Sequence, residues 1–337
     1  MNLQIFTSAD AFDVLGDAWN GLLQQSATNT LFLTREWQQV WWQGLGDGAL
    51  HVLTLRDDDD DGTLVGIAPL FIEENSLGAK QINLVGCKEV SDYLDFIFAK
   101  GHERECFETV LNYLDSAEAP EWDTISLCNV PETSPTQSLL MELSQTHGWK
   151  STSVFEDVCP IIDLPKSFDD YLAILDGKER RELQRKLRRA AEDTQVVISA
   201  DGSKLDADIG DFLRLMRASM FSKNDFMTPR MEKFFYMSAR AMFNAGYLQL
   251  SFLEVNGERA ATYLNFLHNK QVLVYNSGLD PAKFSYLSPG QVLIARLIEK
   301  AIVDGFDKFD FLQGNEDYKY KLGGKDIKLF TLGVTRA

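Results

Sequence analysis

The chain has 337 residues, 45% hydrophobic and 25% charged, with a net charge of −17. That length and balance fit one large or two smaller globular domains with ample cores, and exclude a disordered chain. So acidic a sequence does not read as a general nucleic-acid binder, which presents a basic surface, and its longest apolar run, residues 64–72, is too short to cross a membrane.

The first residues, MNLQIFTSAD, lack a basic start and a long apolar run, so neither a signal peptide nor membrane insertion is expected. Cys87, Cys106, Cys128 and Cys159 form no C-x-x-C pair, so no disulfide is implied and reduced thiols in a cytoplasmic protein are expected. His51, His102, His147 and His268 show no ligand spacing, and no metal is expected.

In chain order, residues 9–25 read as a helix with Phe12, Leu15, Trp19, Leu22 and Leu23 on one side. Thr34 is placed to cap a second helix carrying Trp37, Val40, Trp41 and Trp42, a cluster that suits a core or, alternatively, an acceptor-binding wall. Residues 51–55 and 64–72 suggest a hairpin around an aspartate run. That run lacks the alternating ligands of a calcium loop and reads as a solvated tip. Strands are expected at 81–85, 93–98, 124–127 and 151–158, and helices at 103–114 and 138–145.

Cys159-Pro160 and Leu164-Pro165 punctuate the chain, and a domain boundary is expected there, giving domains at 1–158 and 159–337. A short helix at 168–175 and a strongly basic one at 178–192 follow. A strand at 195–200 and helices at 209–221 and 229–245 come next. Residues 248–255 and 260–267, joined through Asn256-Gly257, carry a hairpin signal. Mixed strands and helices in this order indicate an α/β or α+β protein.

The stretch from 271 to 319 is the most informative. Residues 271–279 form a strand ended by Gly278 and Asp280-Pro281, and residues 306–312 form another. Between them, Ser288-Pro289-Gly290-Gln291 reads as a helix start, with Ser288 as N-cap, Pro289 at the first position and Gln291 completing a capping box. Leu293, Ile294, Leu297, Ile298, Ala301 and Ile302 then make one apolar face. Two strands joined by one helix should be parallel, with free amides of the helix start at the carboxyl end of the first. Such a start can hold a diphosphate, or be only a well-capped crossover. A last strand is expected at 328–334.

Tyr275-Asn276-Ser277-Gly278, then Ser288-Pro289-Gly290 with Leu293, then Phe309-Asp310-Phe311-Leu312 with Gly314 and Tyr318-Lys319, resembles the GNAT superfamily of acyltransferases. More narrowly, the chain resembles the branch that includes cellulose- and exopolysaccharide-associated acetyltransferases and borders the FemABX peptidyltransferases. Phe32-Leu33-Thr34 with Glu36-Trp37, Gly66-Ile67-Ala68-Pro69-Leu70, and Ser91-Asp92-Tyr93-Leu94-Asp95 extend that resemblance over most of the chain. It implies two tandem GNAT-like domains of mixed α/β sheets. The first has Lys88-Glu89-Val90-Ser91 where a phosphate turn would stand, so its donor site is expected to be degenerate.

The resemblance further implies transfer from acetyl-CoA or another acyl-CoA to an amine, such as an amino sugar or small amine of surface polysaccharide metabolism. The thioester would lie in the splay between strands 271–279 and 306–312, with Ser277, Gly278, Ser288, Pro289, Gly290 and Gln291 as donor-binding residues. Tyr318 matches the position of a thiolate-protonating acid, or is a packing aromatic. Asp310, a carboxylate in an apolar strand, is a candidate base, with Glu316, Asp317 or water as competitors. Asp92, Tyr93 and Asp95 would suit acceptor binding, or form a polar turn. Aminoacyl transfer from a charged tRNA and a silent binding module are the alternatives. No Walker, dinucleotide or nucleophile-elbow motif is present.

Overall fold

The structure, a computed structural model, describes residues 1–57, 62–87 and 90–336, and among these all side chains except those of Phe221 and Ser222. The expected hairpin tip at Asp58–Asp61 and the Lys88-Glu89 part of the expected degenerate turn lie outside the described residues. The chain divides into two compact units: residues 1–157 with the chain from Lys328 on, and residues 158–327.

In the first unit the elements are β1 (Asn2–Phe6), α1 (Asp10–Gln25), α2 (Arg35–Leu45), β2 (Ala49–Arg56), β3 (Leu64–Glu74), β4 (Lys80–Leu84), β5 (Ile97–Phe98), α3 (Glu103–Asp115), β6 (Thr124–Pro131), α4 (Thr136–Thr146) and the start of β7 (Lys150–Asp163). The second unit takes the end of β7, then α5 (Phe168–Ile174), α6 (Gly177–Ala190), β8 (Thr194–Ile198), α7 (Leu205–Ser219), α8 (Phe221–Phe226) and α9 (Pro229–Asn244). It continues through β9 (Leu248–Val255), β10 (Glu258–His268), β11 (Gln271–Leu279), α10 (Pro289–Val303), β12 (Lys308–Asp310) and α11 (Asp317–Lys321). A last strand, β13 (Lys325–Thr335), pairs antiparallel with β6 from Leu329 opposite Pro131 to Thr335 opposite Thr124. That pairing groups the chain from Lys328 on with the first unit, whereas the sequence reading leaves it in the second.

Each unit builds its sheet in the same order. In the first, β1, β2, β3 and β4 are successively antiparallel and β4 then runs parallel to β6. In the second, β8, β9, β10 and β11 are antiparallel and β11 runs parallel to β12. The Asn256-Gly257 turn joins β9 and β10 with φ of 51° and 82°, the left-handed pair that a two-residue hairpin needs.

Aromatic packing organises the first core. Trp19, Trp37 and Trp41 are fully buried. Two of the indoles take partners there: Trp19 Nε1 donates to Leu33 O at 2.8 Å and Trp37 Nε1 to Ser91 Oγ at 2.9 Å. Thr34 caps α2 as expected, its hydroxyl accepting from Trp37 N at 3.3 Å. In the second unit, Leu293, Ile294, Leu297, Ile298 and Ala301 of α10 join Val272, Val274, Tyr263 and Phe309 in one buried cluster.

Several expectations change. Cys87 and Cys128 form a disulfide with Cα atoms 5.9 Å apart, against the expectation of reduced thiols. They are 41 residues apart, and the parallel pairing of β4 with β6 brings them side by side, which spacing alone does not reveal. Cys159-Pro160 does not interrupt the chain: β7 runs through it, and Pro160 contributes its carbonyl to Phe311 N at 3.0 Å. The strand expected at 93–98 is reduced to Ile97–Phe98, and the one at 306–312 to Lys308–Asp310, because Leu312 turns away at φ 56°. Among the described residues no helix is long and apolar enough to cross a membrane.

Candidate active site

The site in the second unit begins with a short pairing. β11 and β12 are in register only at Gln271–Lys308, Val272–Phe309 and Leu273–Asp310, so β11 continues to Leu279 beyond the last rung. At the point of divergence the register with β10 shifts: Leu264 faces Asn276 and Asn265 faces Val274, so β11 carries one extra residue, Tyr275. Bulges of this kind turn backbone groups out of the ladder and occur beside active sites. The expected splay between two parallel strands is present, with a bulge at its mouth.

Beyond the splay the chain reaches the start of α10. Ser288 adopts φ 54° and ψ 53° and makes no side-chain cap, so the expected capping box does not form. Instead Ser288 O accepts from Gln291 N at 3.0 Å and Val292 N at 3.1 Å. Gln291 is engaged elsewhere, its Oε1 accepting from Lys186 of α6. Arg189, one turn on, donates to Tyr286 O at 2.9 Å, so the basic helix grips the loop that leads into α10. Pro289 occupies the first helical position as expected. Gly290 packs closely on Leu279, whose Cδ2 lies 3.2 Å from where a Cβ would stand. The role expected of Gly278 changes, because a Cβ there would collide with the backbone of Leu215 and Met216; α7 fills that space.

A cavity of about 260 Å³ opens at this helix start, lined by Lys178, Glu179, Glu182, Leu183 and Lys186 of α6, by Gln291, and by Tyr318, Lys321 and Leu322. Gln291 and Tyr318, far apart in sequence, thus share one cavity. Glu182 stays ionised, its pKa held at about 2 by hydrogen bonding to Arg185 and by Lys186. Three lysines against two carboxylates leave the lining cationic, and the volume suits a diphosphate or one segment of a larger donor.

Tyr318 is half-buried and meets Phe311 edge-on at 6.1 Å. Burial, then Glu316, raises its pKa, so the hydroxyl keeps its proton. Tyr263 of β10 is shifted upward too, by burial and then by Tyr318 nearby. Asp310 is 1% exposed, and its Oδ1 accepts from Leu312 N at 2.7 Å, fastening the turn that ends β12. Next to Tyr318, Lys319 is 2% exposed and donates to Leu312 O, Gln313 O and Gly314 O at 3.0, 2.8 and 3.0 Å, and pairs with Glu316 at 3.0 Å.

Sequence reasoning missed Lys223, on α8. Its Nζ donates to Ser277 O at 2.6 Å and Asn276 Oδ1 at 3.1 Å and lies 3.4 Å from Ser277 Oγ. Burial lowers its pKa to about 8, with Glu316 opposing. No pattern marks this residue: a lysine in a short helix looks like surface, and only the fold carries it to β11.

Asp92, Tyr93 and Asp95 belong to the first unit. Tyr93 is 7% and Asp95 1% exposed. Asp95 accepts from Thr136 Oγ1 and from Phe96 N at 2.8 Å, and burial raises its pKa to about 6. The segment from 92 to 96 is therefore an irregular, inward-facing turn rather than a strand.

Residues 177–320 match the family model of an acetyltransferase (GNAT) domain, which spans the basic helix, the splay, the start of α10 and Tyr318. The mixed α/β fold is that of Fem-type structures. The chain is similar to the crystal structure of FemX at 12% identity and a TM-score of 0.69, covering 98% of this chain and 97% of that one. It is similar to a conserved protein of unknown function from Bacteroides thetaiotaomicron at 12% identity and 0.61, covering 99% and 100%. A third likeness is to the C-terminal domain of a putative lysylphosphatidylglycerol synthetase from Agrobacterium fabrum, at 10% identity and 0.56, covering 98% and 93%. No curated protein matches the chain in sequence.

Proposed function

We propose that the second unit is an acyltransferase that moves an acyl group from a CoA thioester to an amine. The observation that carries this reading is the cavity shared by Gln291 and Tyr318, beside a strand pair that splays after three rungs. The donor diphosphate would sit at the start of α10 within reach of Lys178, Lys186 and Lys321, and the thioester beside the bulge at Tyr275. The amine attacks the thioester carbonyl and gives up a proton to a base, the carbon–sulfur bond breaks, and the departing thiolate takes a proton from Tyr318. Positioning and electrostatics supply the rate, with no covalent intermediate.

On the same reading Ser277, Ser288, Pro289, Gly290 and Gln291 shape the donor site, and Asp310 holds the turn behind it. The first unit is a GNAT-like companion with a degenerate donor site. The acceptor class is an amino sugar or small amine of surface polysaccharide metabolism. A second reading, aminoacyl transfer from a charged tRNA, draws on the cationic lining of the cavity. Thermal-shift titration separates the two: a ligand at about a hundred times its dissociation constant adds about 2.7 kcal/mol. Stabilisation by acetyl-CoA is expected. Stabilisation by tRNA alone replaces the acyl-CoA reading, and stabilisation by neither leaves a binding module.

A further inference from the structure

Beyond its last rung with β12, β11 continues to Leu279, and Lys223 of α8 reaches this stretch. Ser277 N donates to Asn276 Oδ1 at 2.9 Å, and Ser277 O accepts from Lys223 Nζ at 2.6 Å. A residue in an antiparallel strand points both backbone groups to one side. Both groups of Ser277 are held by side chains, which places them on the edge away from β10. Lys223 therefore reaches the edge along which the donor carbonyl would lie.

The local hydrogen bonds accommodate both protonation states of this lysine. As an ammonium, Nζ has three donors for three acceptors: Asn276 Oδ1, Ser277 O and Ser277 Oγ. As a neutral amine it keeps two donors, and its lone pair accepts from the Ser277 hydroxyl, which reverses. A proton can come and go at Nζ without stranding a buried polar group. Of the sequence candidates for the base, Asp310 is held by Leu312 N and Glu316 by Lys319, and Asp317 is exposed with Lys321 at 3.9 Å.

We propose that Lys223, acting directly or through the Ser277 hydroxyl, is the general base that takes the proton of the acceptor amine. The proposal rests on the acyl-transfer reading above. The acceptor ammonium gives one proton to the neutral Nζ, the freed amine forms the carbon–nitrogen bond, and the carbon–sulfur bond breaks with its electrons on sulfur. Tyr318 protonates the sulfur and regains a proton from the second N–H of the acylated nitrogen through water, and Lys223 afterwards releases its proton to water. A pKa of about 8 supports the role, because an ordinary lysine is almost wholly charged near neutrality. Among the neighbouring charges, Glu316 favours the ammonium, Arg217 of α7 is held by Glu232 at 2.7 Å, Asp225 lies on α8 itself, and β11 carries no charge from 274 to 279.

Steady-state kinetics with acetyl-CoA and glucosamine as probe amine should show a rate that rises through about pH 8. Lys223→Met should lower kcat roughly a hundredfold and remove that limb, and Lys223→Arg should not restore it, because guanidinium cannot accept a proton. Rescue by arginine, or a limb that survives in the methionine variant, overturns the proposal in favour of a positioning role. A second measurement does not depend on the acceptor chosen: competitive labelling of lysines with acetic anhydride across pH, on the acetyl-CoA-bound protein. It should give Lys223 an apparent pKa near 8, and an ordinary value overturns the base role. Calorimetry with acetyl-CoA tests the underlying reading separately; absence of binding removes that reading and this proposal with it.

Discussion

Lys186 of α6 donates from Nζ to the Oε1 of Gln291 in the first turn of α10, so the basic helix is tied to the helix start that would hold the donor. Lys178 and Lys186 of α6 face the cavity at that helix start. Gly290→Asp would place a carboxylate beside that lining and should weaken CoA binding at least about tenfold, or roughly 1.4 kcal/mol. Calorimetry on folded variant protein measures it, with Lys186→Met as the matching loss of charge. Unchanged affinity in both would reduce the turn to a packing feature.

Tyr318 lines the same cavity with its hydroxyl held protonated by burial and Glu316. Tyr318→Phe should reduce turnover roughly a hundredfold while donor affinity stays nearly constant, which separates loss of an acid from loss of binding. Wild-type turnover in this variant would take Tyr318 out of the mechanism.

Lys319 holds three carbonyls of the turn from Leu312 to Gly314 while almost fully buried. Lys319→Met would leave those carbonyls and Glu316 without its donors, at a cost of roughly 3 kcal/mol. Urea unfolding should show that loss. A midpoint within experimental error of the parent would mean that water replaces the ammonium freely.

Asp95 supplies a pH signature in the first unit. Burial raises its folded pKa to about 6, above the ordinary value of 3.8. The folded state therefore binds the proton more tightly than the unfolded state between these values. The resulting stability is fully present below the unfolded pKa and is lost as pH rises through about 6, by roughly 3 kcal/mol at most. Asp95→Asn should thus be more stable than the parent at pH 8 and indistinguishable from it near pH 4. Equal stability at both would mean that the carboxylate is better solvated than its burial implies.

The disulfide is open to direct counting. Thiol titration of denatured, unreduced protein should find two thiols, those of Cys106 and Cys159. Four would return Cys87 and Cys128 to the reduced state expected from their spacing.

Local pattern carries much of the second unit. The bounds of β11 coincide with those read from residues 271–279, and the apolar face of α10 is buried as its spacing requires. Alternation, turn chemistry and helical period depend on neighbours in sequence, so they are visible there. The splay with its bulge at Tyr275, the link from Lys186 to Gln291, the approach of Lys223 to Ser277 and the joining of Cys87 to Cys128 depend on strand register and helix placement instead. Ser288 shows the limit most plainly: its sequence context is that of an N-cap, yet the incoming loop turns it to positive φ and leaves the capping to its carbonyl. Residue types and periods define the elements, but the meeting of side chains from α6, α8, β11 and α10 is settled by non-local packing, for which no short stretch of sequence carries the information.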